Sequence, residues 1–184
     1  MKSDHHVCPW WLAYCFDNPA RRLFHNPQKI LSPYVHPGMD VADIGCGMGY
    51  FSIGLAEIVG EGGKVYSVDI QQEMLDILMK RAGRKKVDHL IHPRIAKPDH
   101  LNITTRFDFV LASWMVHETR DIPAFLMGIH DRLKRGGIFY MLEPRLHVTP
   151  NQFAGEVATA IKCSFQLIAK PKVAFSRTAV FKKR

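Results

Sequence analysis

From Met39 onward, short apolar runs take turns with amphipathic stretches, and this alternation narrows the possible folds more than any other feature of the chain. MDVADI (39–44) reads as a buried strand that ends in the glycine-rich turn GCGMG. Residues 50–59 read as a helix broken at Gly60-Glu61-Gly62-Gly63, and KVYSVDI follows as a second strand. Over 71–82, Met74, Leu75, Leu78 and Met79 recur at the spacing of one helix face. A weak third strand spans 89–95, FDFVLAS (107–113) is a strong fourth, and a helix over 122–133 is expected to stop at Gly136-Gly137. GIFYMLE (137–143) gives a fifth strand and 151–162 a last helix. SFQLIA and VAFSRTAVFK, split by Lys170-Pro171-Lys172, read as a closing hairpin. Strand and helix alternating five times imply a mostly parallel sheet with helices on both faces. The hairpin makes one edge antiparallel, which such sheets allow. The expected architecture is an open, doubly wound α/β sandwich.

With 184 residues the chain is sized for one core, and 47% apolar with 23% charged residues excludes disordered, collagenous and coiled-coil classes. Residues 1–38 differ from the rest. Pro9, Pro19, Pro27, Pro33 and Pro37 forbid a long helix there, leaving short pieces ending at Phe24 and opening at Asn26-Pro27. The expected partition is an aromatic, proline-rich lid over 1–38, carrying Trp10, Trp11, Tyr14 and Phe16, and a ligand-binding domain over 39–184. No run approaches the roughly 18 uncharged apolar residues of a membrane span. The start lacks the basic segment and small-residue cleavage site of a secretory leader, so a cytoplasmic chain is expected. Cys8, Cys15, Cys46 and Cys163 form no CxxC pair, and His5, His6 and Cys8 find no matching half elsewhere, so no metal site is expected. The 25 Lys and Arg against 17 Asp and Glu leave a net +8, concentrated in Lys80-Arg81, Arg84-Lys85-Lys86 and Lys182-Lys183-Arg184. Such runs read first as solvated helix ends and tails, and second as a surface for phosphates or membranes.

Open parallel sheets bind ligands beyond the carboxyl ends of their strands, at the point where strand order reverses. The first strand ends there in Asp43-Ile44-Gly45-Cys46-Gly47-Met48-Gly49-Tyr50. A dinucleotide turn, GxGxxG, would need its third glycine where Tyr50 stands, and Asp43 would repel a pyrophosphate in a desolvated turn. A ligand with an ammonium group turns Asp43 into an asset instead. Asp69 closes the second strand twenty positions beyond Gly49, where a carboxylate can accept both hydroxyls of a ribose. An amine for Asp43, a carboxylate for the bare turn and a ribose for Asp69 together describe S-adenosylmethionine.

These segments resemble the motifs of the class I S-adenosylmethionine-dependent methyltransferases. VADIGCGMGYF is similar to their first motif, KVYSVDI to the acidic second-strand motif, FDFVLASWMVHE to the fourth-strand motif and LKRGGIFYMLEP to the segment entering strand five. The likeness spans residues 21–184 and leans toward the small-molecule branch that holds quinone-biosynthesis and arsenite methyltransferases. It implies a seven-stranded Rossmann-like sheet with an antiparallel C-terminal hairpin. It also implies that Asp43, Gly45, Cys46, Gly47 and Gly49 hold the methionine end of the cofactor, and Asp69, Ile70 and Gln71 its ribose and adenine edge. Ser113 would lie near the sulfonium and the acceptor. Lys97 stands where the family usually places an acid near the adenine amino group.

A sulfonium methyl group is a good electrophile, so positioning and exclusion of water carry most of the catalysis. A base is needed only when the acceptor is protonated, as phenols, enols and thiols are. Candidates at the ends of strands four and five are His117, Glu118, Glu143, Arg145 and His147. On a helical turn, His117 and Ser113, four apart, would share one side, which favours them as the catalytic pair. A small-molecule acceptor and a homodimer are the expected partners. RNA is the alternative acceptor, at ribose or ring nitrogen. Ala112-Ser113-Trp114-Met115 is not the (N/D)PP(Y/F) tetrad that base-amine methylation resembles, and that stretch lacks the cysteine of pyrimidine carbon-5 chemistry. A non-catalytic cofactor-binding subunit is the third reading.

Overall fold

The computed structural model describes residues 24–97 and 101–184. In chain order the elements are α1 (Pro27–Leu31), β1 (Asp40–Ile44), α2 (Tyr50–Val59), β2 (Lys64–Asp69), α3 (Gln72–Lys85), β3 (Ile91–Ile95), β4 (Phe107–Ser113), α4 (Ile122–Arg132), β5 (Leu133–Pro144), α5 (Pro150–Lys162), β6 (Phe165–Ala169) and β7 (Ser176–Lys183). Short 3-10 turns at Gly60–Gly62, Asp88–Leu90 and Val116–Glu118 join them. The seven strands lie in one sheet in the order β3-β2-β1-β4-β5-β7-β6. Neighbours from β3 through to β5 are parallel, and β7 runs antiparallel to both β5 and β6. Chain order reverses between β1 and β4, so the crevice anticipated from the first strand falls at the switch point.

Among the described residues, three of the five α-helices begin at a side-chain cap. Asn26 caps α1 by accepting from Lys29 N, with Pro27 at the first helical position. Asp121 does the same for α4 through Ala124 N. Thr149 and Gln152 form a reciprocal capping box at α5, which therefore opens at Pro150 rather than Asn151. Alternate faces of the buried strands feed two cores: Val41, Phe109, Leu111 and Tyr140 face α1, α2 and α3, while Ala42, Val110, Phe139 and Met141 face α4 and α5. Leu31 and Val35 belong to the first core, so residues 24–38 pack onto the α/β body. Up to residue 23 the helix expected to end at Phe24 lies outside the described residues, as do the lid aromatics Trp10, Trp11, Tyr14 and Phe16.

Two boundaries depart from the pattern reading. Helix α4 stops at Arg132, and β5 starts at Leu133 instead of after the glycine pair. Leu133 pairs with Phe107, and a register shift between Phe107 and Phe109 carries β5 through Gly136-Gly137 as an irregularity inside the strand. The closing strand starts at Ser176 rather than Val173, because Phe175 takes a left-handed φ of 56° and ends the connection from Pro171. The hairpin is also threaded so that β7, not β6, lies beside β5, leaving β6 at the edge.

Candidate functional site

The turn after β1 is fastened by main-chain and side-chain bonds before any ligand is considered. Gly45 N and Cys46 N both donate to Val68 O, at 2.8 and 3.0 Å. Gly47 N donates to Asp69 Oδ2 at 2.9 Å, and Gln71 N donates to Asp69 Oδ1 at 3.0 Å. Arg81 Nη1 reaches across from α3 to Met48 O at 3.1 Å. Gly49 caps α2 at a φ of 81°, and a Cβ there would sit 1.9 Å from Leu78 Cδ1. A Cβ on Gly45 would come 2.7 Å from Met115 Cγ, so β1 and the segment after β4 meet only across bare backbone. By contrast nothing lies within 4 Å of a Cβ built on Gly47, whose backbone is open to the crevice.

Asp43 and Asp69 have different surroundings. Asp43 is buried beneath the turn, and Ser52 Oγ in the first turn of α2 donates to its Oδ2 at 2.6 Å. Asp69 forms part of the crevice wall. Burial pushes its carboxyl above the ordinary range, opposed by the main-chain donors of Gln71, Gly47 and Ile70. Gly47 N–H goes to one oxygen and Gln71 N–H to the other, and the carboxylate keeps acceptor capacity for a hydroxyl.

The crevice is a cleft of about 550 Å³, within the size range of small-molecule and cofactor sites. Gly45, Gly47 and Asp69 form its polar end, and Ile70, Met74, Ala96, Leu101, Met115 and Phe125 supply apolar walls. Gln71 and Lys97 also line it. The apolar walls suit a planar base, the bare turn suits a carboxylate, and Asp69 suits a diol, so the residues present fit an adenosyl amino acid. Of the other residues anticipated from sequence, Asp43, Cys46 and Gly49 stand behind this lining and shape it. Cys46 is buried, and desolvation, then the charges of Asp43 and Asp69, drive its thiol well above the ordinary value. Residues that the sequence did not single out, Trp114, Met115, Thr119, Arg120 and Asp121, complete the wall after β4. Their signal was positional, since this segment follows the strand beside the switch point.

Ser113 and His117 do not share a helix face. Ser113 is the last residue of β4, Trp114 takes a φ of 60°, and His117 sits in the 3-10 turn Val116–Glu118. The Ser113 hydroxyl is buried without a hydrogen-bond partner. His117 belongs to a separate cluster immediately behind the cleft wall. Its Nδ1 is bonded to Glu143 Oε2, and Glu143, fully buried at the end of β5, takes Val116 N on its other oxygen at 2.9 Å. Nε2 of His117 lies 4.0 Å from Oε1 of Glu118, which lines the cleft. The His147 ring stands 6.0 Å from the His117 ring, centre to centre. Burial alone would lower the imidazole pKa, yet the bond and charge of Glu143, with Glu118 and Glu156, outweigh it and hold it above the ordinary value. Glu156 of α5 is 5% exposed with Oε2 unbonded, and its carboxyl is pushed up to about 7 by burial and the Glu143 charge, relieved in part by His117. Among the described residues no group of three or more His, Cys, Asp or Glu is arranged to hold a metal ion, and no helix is long and apolar enough to cross a membrane.

Comparison with known proteins gives the same direction. The demethylmenaquinone methyltransferase of Symbiobacterium thermophilum is 30% identical over 115 residues, covering 62% of this chain and 46% of that protein. The demethylmenaquinone methyltransferase of Geobacillus stearothermophilus is 33% identical over 115 residues, covering 59% and 47%. The chain thus spans about half the length of the curated relatives it matches. Among solved structures, a SAM-dependent methyltransferase from Aquifex aeolicus superposes with a TM-score of 0.84 at 20% identity, covering 96% of this chain and 98% of that one. Aeropyrum pernix fibrillarin, solved with natively bound S-adenosyl-L-methionine, superposes at 0.66 with 13% identity over 80% and 68% of the two chains. These likenesses show the fold. A model of the methyltransferase domain matches residues 35–175, and the chain belongs to that family.

Proposed function

We propose that this chain transfers a methyl group from S-adenosylmethionine to a small protic acceptor of the hydroquinone or phenol type. The observation that carries the reading is the junction at Asp69, where one carboxylate bonds the open Gly47 amide and the Gln71 amide at the rim of the cleft. Asp69 would hold the ribose diol, the Gly45-to-Gly47 turn the methionine carboxylate, and Ile70 and Met115, with Lys97 near them, the adenine. Asp43 acts from beneath, fixing the turn through α2. When bound, the cofactor supplies an electrophilic methyl group on a cationic sulfur, and the chain contributes orientation and a dry, mostly apolar wall.

The acceptor class follows from the rim after β4 and β5. His117 receives the proton that a phenolic acceptor gives up, and Ser113 ends the strand that leads into the turn carrying it. The small-molecule acceptor is supported by the demethylmenaquinone methyltransferase relatives. The excess positive charge gives nucleic acid no comparable support. Exposed basic residues stand at both ends of the sheet, Lys64, Arg106, Arg135, Lys182 and Arg184 where β2, β4 and β5 begin and β7 ends, and Lys97 and Arg120 at the cleft, so these form no single patch that marks a polymer path.

Titration calorimetry with S-adenosylhomocysteine tests the cofactor assignment. Micromolar binding is expected, with Asp69→Ala weakening it by about 100-fold, the equivalent of two lost bonds to a charged acceptor at about 1.5 kcal/mol each. Equal affinity in the variant would overturn the assignment. Transfer of a labelled methyl group to reduced 1,4-naphthoquinone tests the acceptor class.

A further inference from the structure

We propose that Glu143 is a positioning residue for the transfer: it holds His117 in the tautomer whose Nε2 is free to receive the acceptor's proton by way of Glu118 at the cleft wall. The proposal rests on the reading of His117 as the proton acceptor and adds the residues that make it one.

The geometry is directional. Glu143 is fully buried and its two oxygens have separate tasks, one held by Val116 N at 2.9 Å and the other bonded to His117 Nδ1. The main-chain bond fixes the carboxylate relative to the same turn that carries the ring. A carboxylate accepts, so Nδ1 carries the proton and the Nε2 lone pair is left for an incoming one. That lone pair lies 4.0 Å from the Glu118 carboxylate, which lines the cleft, so a single side chain separates the base from the cleft interior.

The charges around the ring suit the charged product of proton transfer. Glu143 faces it from β5, Glu118 from its own turn and Glu156 from α5, with the neighbouring His147 ring from the loop between β5 and α5. The guanidiniums closest in sequence to Glu143 and its β7 partner are directed elsewhere: Arg145 Nε donates to Ser176 O at 3.0 Å and Arg177 Nε to Val148 O at 2.9 Å. An imidazolium formed here is stabilised by buried negative charge, as a base needs when its acceptor is only weakly acidic.

The step balances. The acceptor O–H bond breaks with its electron pair left on the acceptor, whose oxygen or conjugated ring carbon forms the new bond to the methyl carbon, and the electron pair of the methyl–sulfur bond stays on sulfur. The proton passes to Nε2 through Glu118, and the imidazolium releases it to solvent after the product leaves.

Two measurements on the full chain test the proposal. In long-range proton–nitrogen correlation spectra of the wild-type chain, neutral His117 should carry its proton on Nδ1 and titrate above the ordinary value of about 6.5. In Glu143→Gln, with the fold checked by circular dichroism, that titration should fall by about one pH unit or more. With labelled cofactor and reduced 1,4-naphthoquinone, Glu143→Gln should lower the maximal rate by about 10- to 100-fold and move the acid limb of the rate profile to lower pH. A purely structural role would lower the rate without moving the limb. A wild-type Nε2–H tautomer, or a His117 titration unmoved by Glu143→Gln, would overturn the proposal. If His117→Gln leaves transfer intact while the spectra behave as expected, the base assignment fails and the Glu143–His117 bond stands apart from it.

Discussion

Replacing Glu156 by Gln should stabilise the protein, and by an amount set by pH. Glu156 is 5% exposed, its Oε2 has no partner, and its carboxyl titrates at about 7 against an ordinary 4.5. A carboxyl whose folded pKa lies above its unfolded one costs nothing while protonated in both states. The cost appears as pH climbs past the unfolded value and is complete above the folded one. The gap of about 2.5 pH units, at 1.36 kcal/mol each, amounts to about 3 kcal/mol by pH 8, about 2 kcal/mol at pH 6 and a few tenths at pH 4.5. Gln matches the neutral acid in shape and carries no charge at any pH, so it removes this cost and little else. Melting curves of wild type and Glu156→Gln at pH 5 and pH 8 should therefore diverge: midpoints about 2 °C apart at the lower pH, and the variant higher by about 8 °C at the upper one. A difference of the same size at both pH values would refute the reasoning, because it would be packing and not ionisation.

Gly49→Ala forces a side chain into a left-handed residue and against Leu78 Cδ1, at a built distance of 1.9 Å, so urea unfolding should show a loss of about 2–4 kcal/mol. Measured against Leu78→Ala alone, the added cost of Gly49→Ala should shrink to its backbone part, and an added cost of zero would show that the clash alone mattered. Ser52→Ala takes a 2.6 Å donor from buried Asp43 and should cost about 1–3 kcal/mol by the same measurement, with a fall below about 0.5 kcal/mol counting against a role for Ser52 in holding the turn.

Local patterns carried the sequence reading as far as local chemistry determines structure. The β1–turn–α2 unit was legible because Gly45, Gly47 and Gly49, which all take positive φ, stand between an apolar strand and a largely apolar helix. Asp69 was legible because it is the last residue of its strand, and parallel pairing of β1 with β2 brings it beside the turn. The start of β5 was not, since Leu133-Lys134-Arg135 continue the polar end of α4 in composition and become a strand only through pairing with Phe107. The order β5-β7-β6 was equally hidden, because a hairpin pattern does not say which of its strands docks.

The expectation that Ser113 and His117 share a helical turn does not hold, for an instructive reason. It assumed that a helix follows β4 at once, whereas Trp114 at a φ of 60° turns the chain, and the His117 ring is claimed by a carboxylate 26 residues away. That carboxylate could be named from sequence as an acid at the end of strand five, but not its partner. The partner depends on register: Ser113 pairs with Leu142, which places the next residue of β5, Glu143, level with the chain leaving β4. From there one oxygen reaches Val116 N and the other His117 Nδ1, so the sheet register determines which proton the imidazole keeps. The cofactor half of the site is thus written along one continuous motif, while the acceptor half is assembled by strand pairing. A one-residue slip of β5 against β4 would turn Glu143 to the opposite face of the sheet and leave His117 without its carboxylate, although every motif in the chain would still read the same.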